Sequence, residues 1–256
     1  MKIIEVESLN YKSIFKNFNI SIEKNKFTTI SGSNLSGKTT LIRILSKKIL
    51  TNNMVKIDNK YIEEYNISKL AETLRTVIPS DQKKFRENTI KKELEIITNH
   101  KNNLDYYKEL IKLFKLTKYL NYNPNEISQK LKTKVYLVKA LLYEPKILLI
   151  DDLNYYLNKN DVIEIINMLK TIKNLTIVYT TDNLEETVNS DYLYILSSGE
   201  IILEGAPLKV LEKDNILNKL GLDLPFMIDL SVKLKDYDLI DSIEQDMDRM
   251  VDILWK

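Results

Sequence analysis

The chain reads as an α/β domain built around a mostly parallel sheet. Two continuous apolar runs, KILLID at 146–151 and LTIVYTT at 175–181, suit strands buried on both faces. The helix-like DVIEIINMLKTIK lies between them and completes a strand–helix–strand unit. A third segment, GSNLSGKTT at 32–40, follows a strand-like stretch and precedes a helical one.

The remaining elements follow in chain order. IIEVESL (3–9) and KFTTIS (26–31) are rich in β-branched and aromatic residues and read as strands. A helix is expected from about Lys38 to Ile49. MVKID (54–58) and RTVIP (75–79) read as further strands. Residues 89–120 have a helical period with many Lys and Glu. Another helix is expected from Ser128 to Tyr143, with Ser128 as its cap and Pro145 beyond its end. The helical stretch 83–143 thus interrupts the strands as an inserted subdomain. DYLYILSSGEIILEG (191–205) predicts an antiparallel hairpin turning at Ser198–Gly199. From about Asn215 the chain is helical and mixed in polarity.

Composition narrows the function classes. The 256 residues suffice for one large domain, or one domain with an appendage. A net charge of +2 gives no electrostatic case for nucleic acid as a partner. With no Cys, disulfides and thiolate metal sites are excluded. MKIIEVESLN lacks a basic segment followed by an apolar run, so no signal peptide is expected. No apolar stretch approaches the ~20 residues needed to span a bilayer. The expected location is the cytoplasm, or a membrane reached through a partner.

Gly32-Ser33-Asn34-Leu35-Ser36-Gly37-Lys38-Thr39 fits G-x-x-x-x-G-K-[ST] at every fixed position. Glycines permit a tight loop whose backbone N–H groups turn toward phosphate oxygens. The following helix adds the partial positive charge of its N-terminus. Lys38 is placed to reach the β- and γ-phosphates, and the Thr39 hydroxyl to bind Mg²⁺. The expected ATP-binding stretch extends through Thr40. KILLIDD then delivers Asp151 and Asp152 at the end of an apolar strand. Asp151 is expected to hold Mg²⁺, and Asp152 stands where a general base would be.

With these motifs in this order, the chain resembles the ATP-binding subunits of ABC transporters. The resemblance implies a P-loop NTPase fold with an antiparallel β subdomain, an inserted helical subdomain and C-terminal helices. It implies an ATP-binding domain over 1–214 and a helical extension over 215–256. Tyr11 matches the family's aromatic residue that stacks on adenine. SSGEIILEGAP, then GLDLPFMIDLSVKL (221–234), resembles the energy-coupling-factor type, whose ATPases drive uptake of vitamins and metal ions. The resemblance implies a second ATPase subunit, identical or different, facing this one. It also implies an integral membrane transporter subunit above the pair. The place implied is peripheral, on the cytoplasmic face of the cell membrane.

The chain departs from the family pattern where hydrolysis is timed and executed. The family's signature, L-S-G-G-Q, is replaced by Ile127-Ser128-Gln129-Lys130-Leu131. Ser128 survives, Gln129 and Lys130 replace the glycines, and no Gly occurs between Gly37 and Gly199. The family's switch His is replaced by Asp182, and the only His, His100, lies upstream of the acidic strand. A carboxylate there repels phosphate, so Asp182 is expected to turn away or to approach only through Mg²⁺ or water. Asp152 is one methylene shorter than the usual Glu; a base displaced by ~1 Å costs on the order of 10²-fold in rate. The family's metal-contacting Gln aligns with Pro79; Gln82 is close enough to substitute if the loop is remodelled, and is otherwise a solvated loop residue. Asn158 stands where the family has Asp. The expectation is a Mg-ATP-binding subunit with weak hydrolysis; the alternative is a non-hydrolysing, ATP-responsive binding or regulatory module.

Overall fold

Alternating apolar side chains open the fold as an antiparallel pair, β1 (Lys2–Tyr11) with β2 (Phe15–Glu23). The computed structural model describes residues 1–101 and 103–255. β2 is absent from the sequence expectation. Asn17 sits at φ 52° between Phe15 and Phe18, and this irregularity hides the alternation that Phe18, Ile20 and Ile22 then follow.

β3 (Phe27–Ser31) runs into the phosphate loop and α1 (Lys38–Leu45). α1 stops short of Ile49, because Lys47 turns left-handed at φ 60°. The Lys47 ammonium there donates to the carbonyls of Glu63 and Tyr65 at 3.2 and 2.7 Å. β4 (Val55–Ile57), β5 (Lys60–Tyr61), α2 (Ile67–Thr73) and β6 (Leu74–Val77) follow. β6 ends before Pro79, which opens a short turn over Pro79–Asp81. The helical stretch 89–120 divides into α3 (Ile90–Lys101) and α4 (Leu104–Leu113). Asn103 caps α4 by accepting from Tyr106 N at 3.1 Å. α5 (Gln129–Leu141) starts as expected, its first turn capped by Ser128.

β7 (Ile147–Asp151), α6 (Lys159–Lys170) and β8 (Thr176–Thr181) form the expected parallel unit. β9 (Tyr192–Ser197) and β10 (Glu200–Gly205) form the hairpin, with Ser198 and Gly199 at φ 48° and 78°. α7 (Pro207–Leu211), α8 (Asp214–Lys219), α9 (Phe226–Asp236) and α10 (Met247–Leu254) complete the chain.

Among the described residues the strands form two sheets. One has the order β2-β1-β4-β5; the other has β10-β9-β3-β8-β7-β6, parallel except for the β9–β10 hairpin. β7 shows how the core divides. Ile147 and Leu149 join the cluster of α1 and the four-stranded sheet, while Leu148 and Ile150 join that of α5 and α6. Each such side chain contributes ~1.5–3 kcal/mol by leaving water. The second cluster also takes in Leu94, Leu110 and Phe114, so the helical insert shares its core with the sheet. A third cluster packs α7, α8 and α9 on Leu193 and Ile195 of β9. Among the described residues no helix is long and apolar enough to cross a membrane.

Candidate nucleotide site

The loop over Gly32–Gly37 is closed in from three directions. A Cβ on Gly32 would stand 2.1 Å from the Leu196 carbonyl oxygen, so only glycine fits against β9. Gly37 sits at φ 113°, and a Cβ there would meet the Phe15 ring at 3.0 Å. The hairpin tip closes the third side, Gly199 N donating to Ser36 O at 3.0 Å.

Within this cradle the Lys38 ammonium donates to Gly32 O at 2.6 Å and Ser33 O at 2.9 Å. Burial lowers its pKa; the carboxylates of Asp182, Asp152 and Asp151 oppose that shift, in that order. The hydroxyls of Ser31 and Ser36 are buried and have no hydrogen-bond partner in the chain. α1 begins without an acidic residue in its first turn and without a side-chain cap. Orphan hydroxyls, free helix-end donors and a glycine-walled cradle fit a phosphate group. Asn34, Leu35 and Thr39 are exposed, and Thr40 is half-buried.

Strand register sets the carboxylates beside the loop. Ser31 pairs with Thr181, and Asp151 pairs with Thr180. Three adjacent strands therefore end within one residue of level, Gly32 beside Asp182 and Asp152 beside Thr181. Asp151 is 4% exposed and accepts from Thr180 Oγ1 at 2.5 Å. Its donor set, with the Thr39 hydroxyl, is oxygen only, which fits Mg²⁺. Asp152 is left-handed at φ 41°, a conformation costing ~1–3 kcal/mol that persists only where its surroundings impose it. Its Oδ1 accepts from Asn154 N at 3.1 Å. Burial raises its pKa, and Asp182 adds to that. Asp182 itself is exposed.

Other expected site residues lie around this centre. Tyr11 ends β1 and is half-buried, with the Lys12 ammonium 5.4 Å from its ring centroid. Gln82 is half-buried rather than solvated, and its Nε2 is buried without a partner. The turn preceding it packs against the turn at 153–155. Ser128 and Gln129 are exposed. Lys130 is not a free charge: its ammonium lies 2.6 Å from both Asp161 and Glu164 of α6. Asn158 caps α6 by accepting from Asp161 N at 3.0 Å.

Sequence reasoning missed Glu186. It is 2% exposed and accepts from Tyr179, Thr181 and Asn183 at 2.5, 2.8 and 3.2 Å. Burial raises its pKa. The second Glu of NLEETV reads as an ordinary solvated acid; only three-dimensional pairing marks it.

A family model described as ABC transporter matches residues 15–154. The chain is 26% identical over 270 residues to the energy-coupling factor transporter ATP-binding protein EcfA of Enterococcus faecium, covering 99% of this chain and 97% of that protein. It is 27% identical over 252 residues to EcfA1 of Mesomycoplasma hyopneumoniae, covering 95% and 91%. In structure it is similar to CbiO1 from Clostridium perfringens, described as part of the ABC transporter complex CbiONQ. The TM-score is 0.75 at 23% identity, over 90% of this chain and 98% of that one.

Proposed function

The chain belongs to the ABC transporter family, and from that membership we propose an ATP-binding subunit of the energy-coupling-factor type with weak hydrolysis of its own. The subunit sits peripherally at the cytoplasmic face of the membrane and pairs with a second ATPase subunit beneath an integral membrane transporter subunit. The ATP-binding domain is taken as 1–214, with 83–143 as its helical subdomain and 215–256 as an extension. One observation carries the reading: strand register brings Gly32, Asp182 and Asp152 to one end of the sheet, where the acids act on Lys38.

In this account Tyr11 stacks on adenine and the amides of 32–40 bind phosphate. Lys38 exchanges the carbonyls of Gly32 and Ser33 for phosphate oxygens. Thr39, Asp151 and Gln82 would hold Mg²⁺, which would supply charge neutralisation to the phosphates. Asp152 is the one candidate to orient water, and three features weaken it. It is short by a methylene, its Oδ1 is taken by Asn154 N, and Asp182 adds a like charge nearby. Ser128, Gln129 and Lys130 offer a partner's nucleotide no glycine amides, and Lys130 is already paired.

Lys38→Ala is expected to abolish Mg-ATP binding in calorimetry; retained affinity means the loop is not the site. Pull-down of the chain from detergent extract is expected to recover a second ATPase subunit and an integral membrane protein. Recovery of neither removes the transporter reading.

A further inference from the structure

The nucleotide site as built makes no use of Glu186, yet its carboxylate lies behind both turns that carry the site's acids. The link runs chiefly through one hydroxyl, the Asn154 side chain also hydrogen-bonding to Glu186 and lowering its pKa against the effect of burial. Thr181 Oγ1 donates to Glu186 Oε2 at 2.8 Å. A hydroxyl has one proton and two lone pairs. With the proton committed to Glu186, both lone pairs accept: from Asn183 N at 3.0 Å and from Asn154 Nδ2 at 3.3 Å.

Asn154 belongs to the turn after β7, where its N–H holds Asp152 Oδ1 at 3.1 Å. Asn183 belongs to the turn after β8, beside Asp182. Its Oδ1 accepts from Glu185 N at 3.1 Å and its Nδ2 donates to Glu186 Oε1 at 3.2 Å. Tyr179 also donates to Glu186 Oε2, but from within β8 and outside either turn.

We propose that Glu186 is a positioning residue: by directing the Thr181 hydroxyl it ties the Asp152 turn to the Asp182 turn, so that displacement of one is transmitted to the other. The tie keeps Asp152 in its left-handed conformation. Only the roles of Asp152 and Asp182 rest on the nucleotide reading above; the tie itself is a property of the free chain.

Hydrogen exchange on the full chain without nucleotide tests this, because the amides of Asp152, Asn154, Asn183, Glu185 and Glu186 are all hydrogen-bonded. Glu186→Gln puts a donor where Oε1 or Oε2 now accepts. Thr181→Val removes the hydroxyl at nearly constant volume. Each is expected to speed exchange in both turns, 152–156 and 182–187, by about tenfold, the worth of roughly one hydrogen bond. The double variant is expected to go no further than either single one. Thr181→Ser, which restores the hydroxyl, is expected to keep both turns protected. Tyr179→Phe is expected to leave 152–156 protected.

Unchanged exchange at 152–156 in Thr181→Val, loss of protection in Thr181→Ser, or equal loosening by Tyr179→Phe overturns the proposal. Mg-ATP affinity of the unaltered chain, measured alongside, separates the two readings. Binding with no change in exchange rejects the tie alone; exchange as expected without binding rejects the nucleotide site alone.

Discussion

Gly199 illustrates how a single atom is excluded for the sake of the loop. A Cβ there would stand 1.7 Å from the Ile14 carbonyl oxygen, and its φ is 78°. Its N–H also holds Ser36 O. Gly199→Ala is expected to lower stability in urea unfolding by roughly 1–3 kcal/mol or more. It is expected to weaken Mg-ATP binding as well, since the displaced tip pushes on the loop. An Ala variant with unaltered stability and affinity contradicts this packing. At this level the site was half legible. Gly32 to Thr40, Asp151 and Asp152 announce themselves because contiguous residues carry the chemistry. Glu186 does not, because its meaning lies in hydroxyls and amides from two other turns. The engagement of Lys130 was equally hidden, since its partners lie 31 and 34 residues on.

Those partners stitch α5 to α6. Glu164 is held by Lys130, Lys115 and Lys134, and these hydrogen bonds and charges pull its pKa from 4.5 down to about 2. The depressed pKa means the folded chain binds this proton less readily than the unfolded chain. Its stabilisation is therefore present above about pH 4.5 and is lost as pH falls toward about 2. Urea midpoints are expected to show Glu164→Gln less stable than the unaltered chain near neutrality, the gap closing across that window. A gap independent of pH would assign the loss to packing. Among elements, β7, β8, α5 and the β9–β10 hairpin were readable because burial on both faces, a Ser cap and a turn Gly are local signals. β2 was not, because the irregularity at Asn17 breaks its period. The division between α3 and α4 was missed because the helical period continues on either side of Asn103.

In the whole molecule, the helical insert and the sheet share one apolar cluster, which takes in Leu148 and Ile150 of β7 and Ile177 and Tyr179 of β8. The last helix is different. Met250 is buried, while Val251, Ile253, Leu254 and Trp255 remain exposed, Trp255 at 82%. If the second ATPase subunit covers this face, Trp255 leaves water on assembly. Its emission is then expected to shift to the blue when the complex forms; an unshifted spectrum places the contact elsewhere. The strand before the loop and the β7–α6–β8 unit were legible from the loop and the two apolar runs. The mutual placement of Gly32, Asp182 and Asp152 was not, because it depends on register across three strands distant in sequence. In the proposed function, holding the triphosphate and cleaving it are separate capacities. Steady-state turnover by the purified chain at saturating Mg-ATP, with binding measured on the same sample, tests this most directly. The expected result is saturable binding with turnover well below 1 s⁻¹, roughly the lower end for enzymes. Turnover at about 1 s⁻¹ or faster from this chain alone would contradict it.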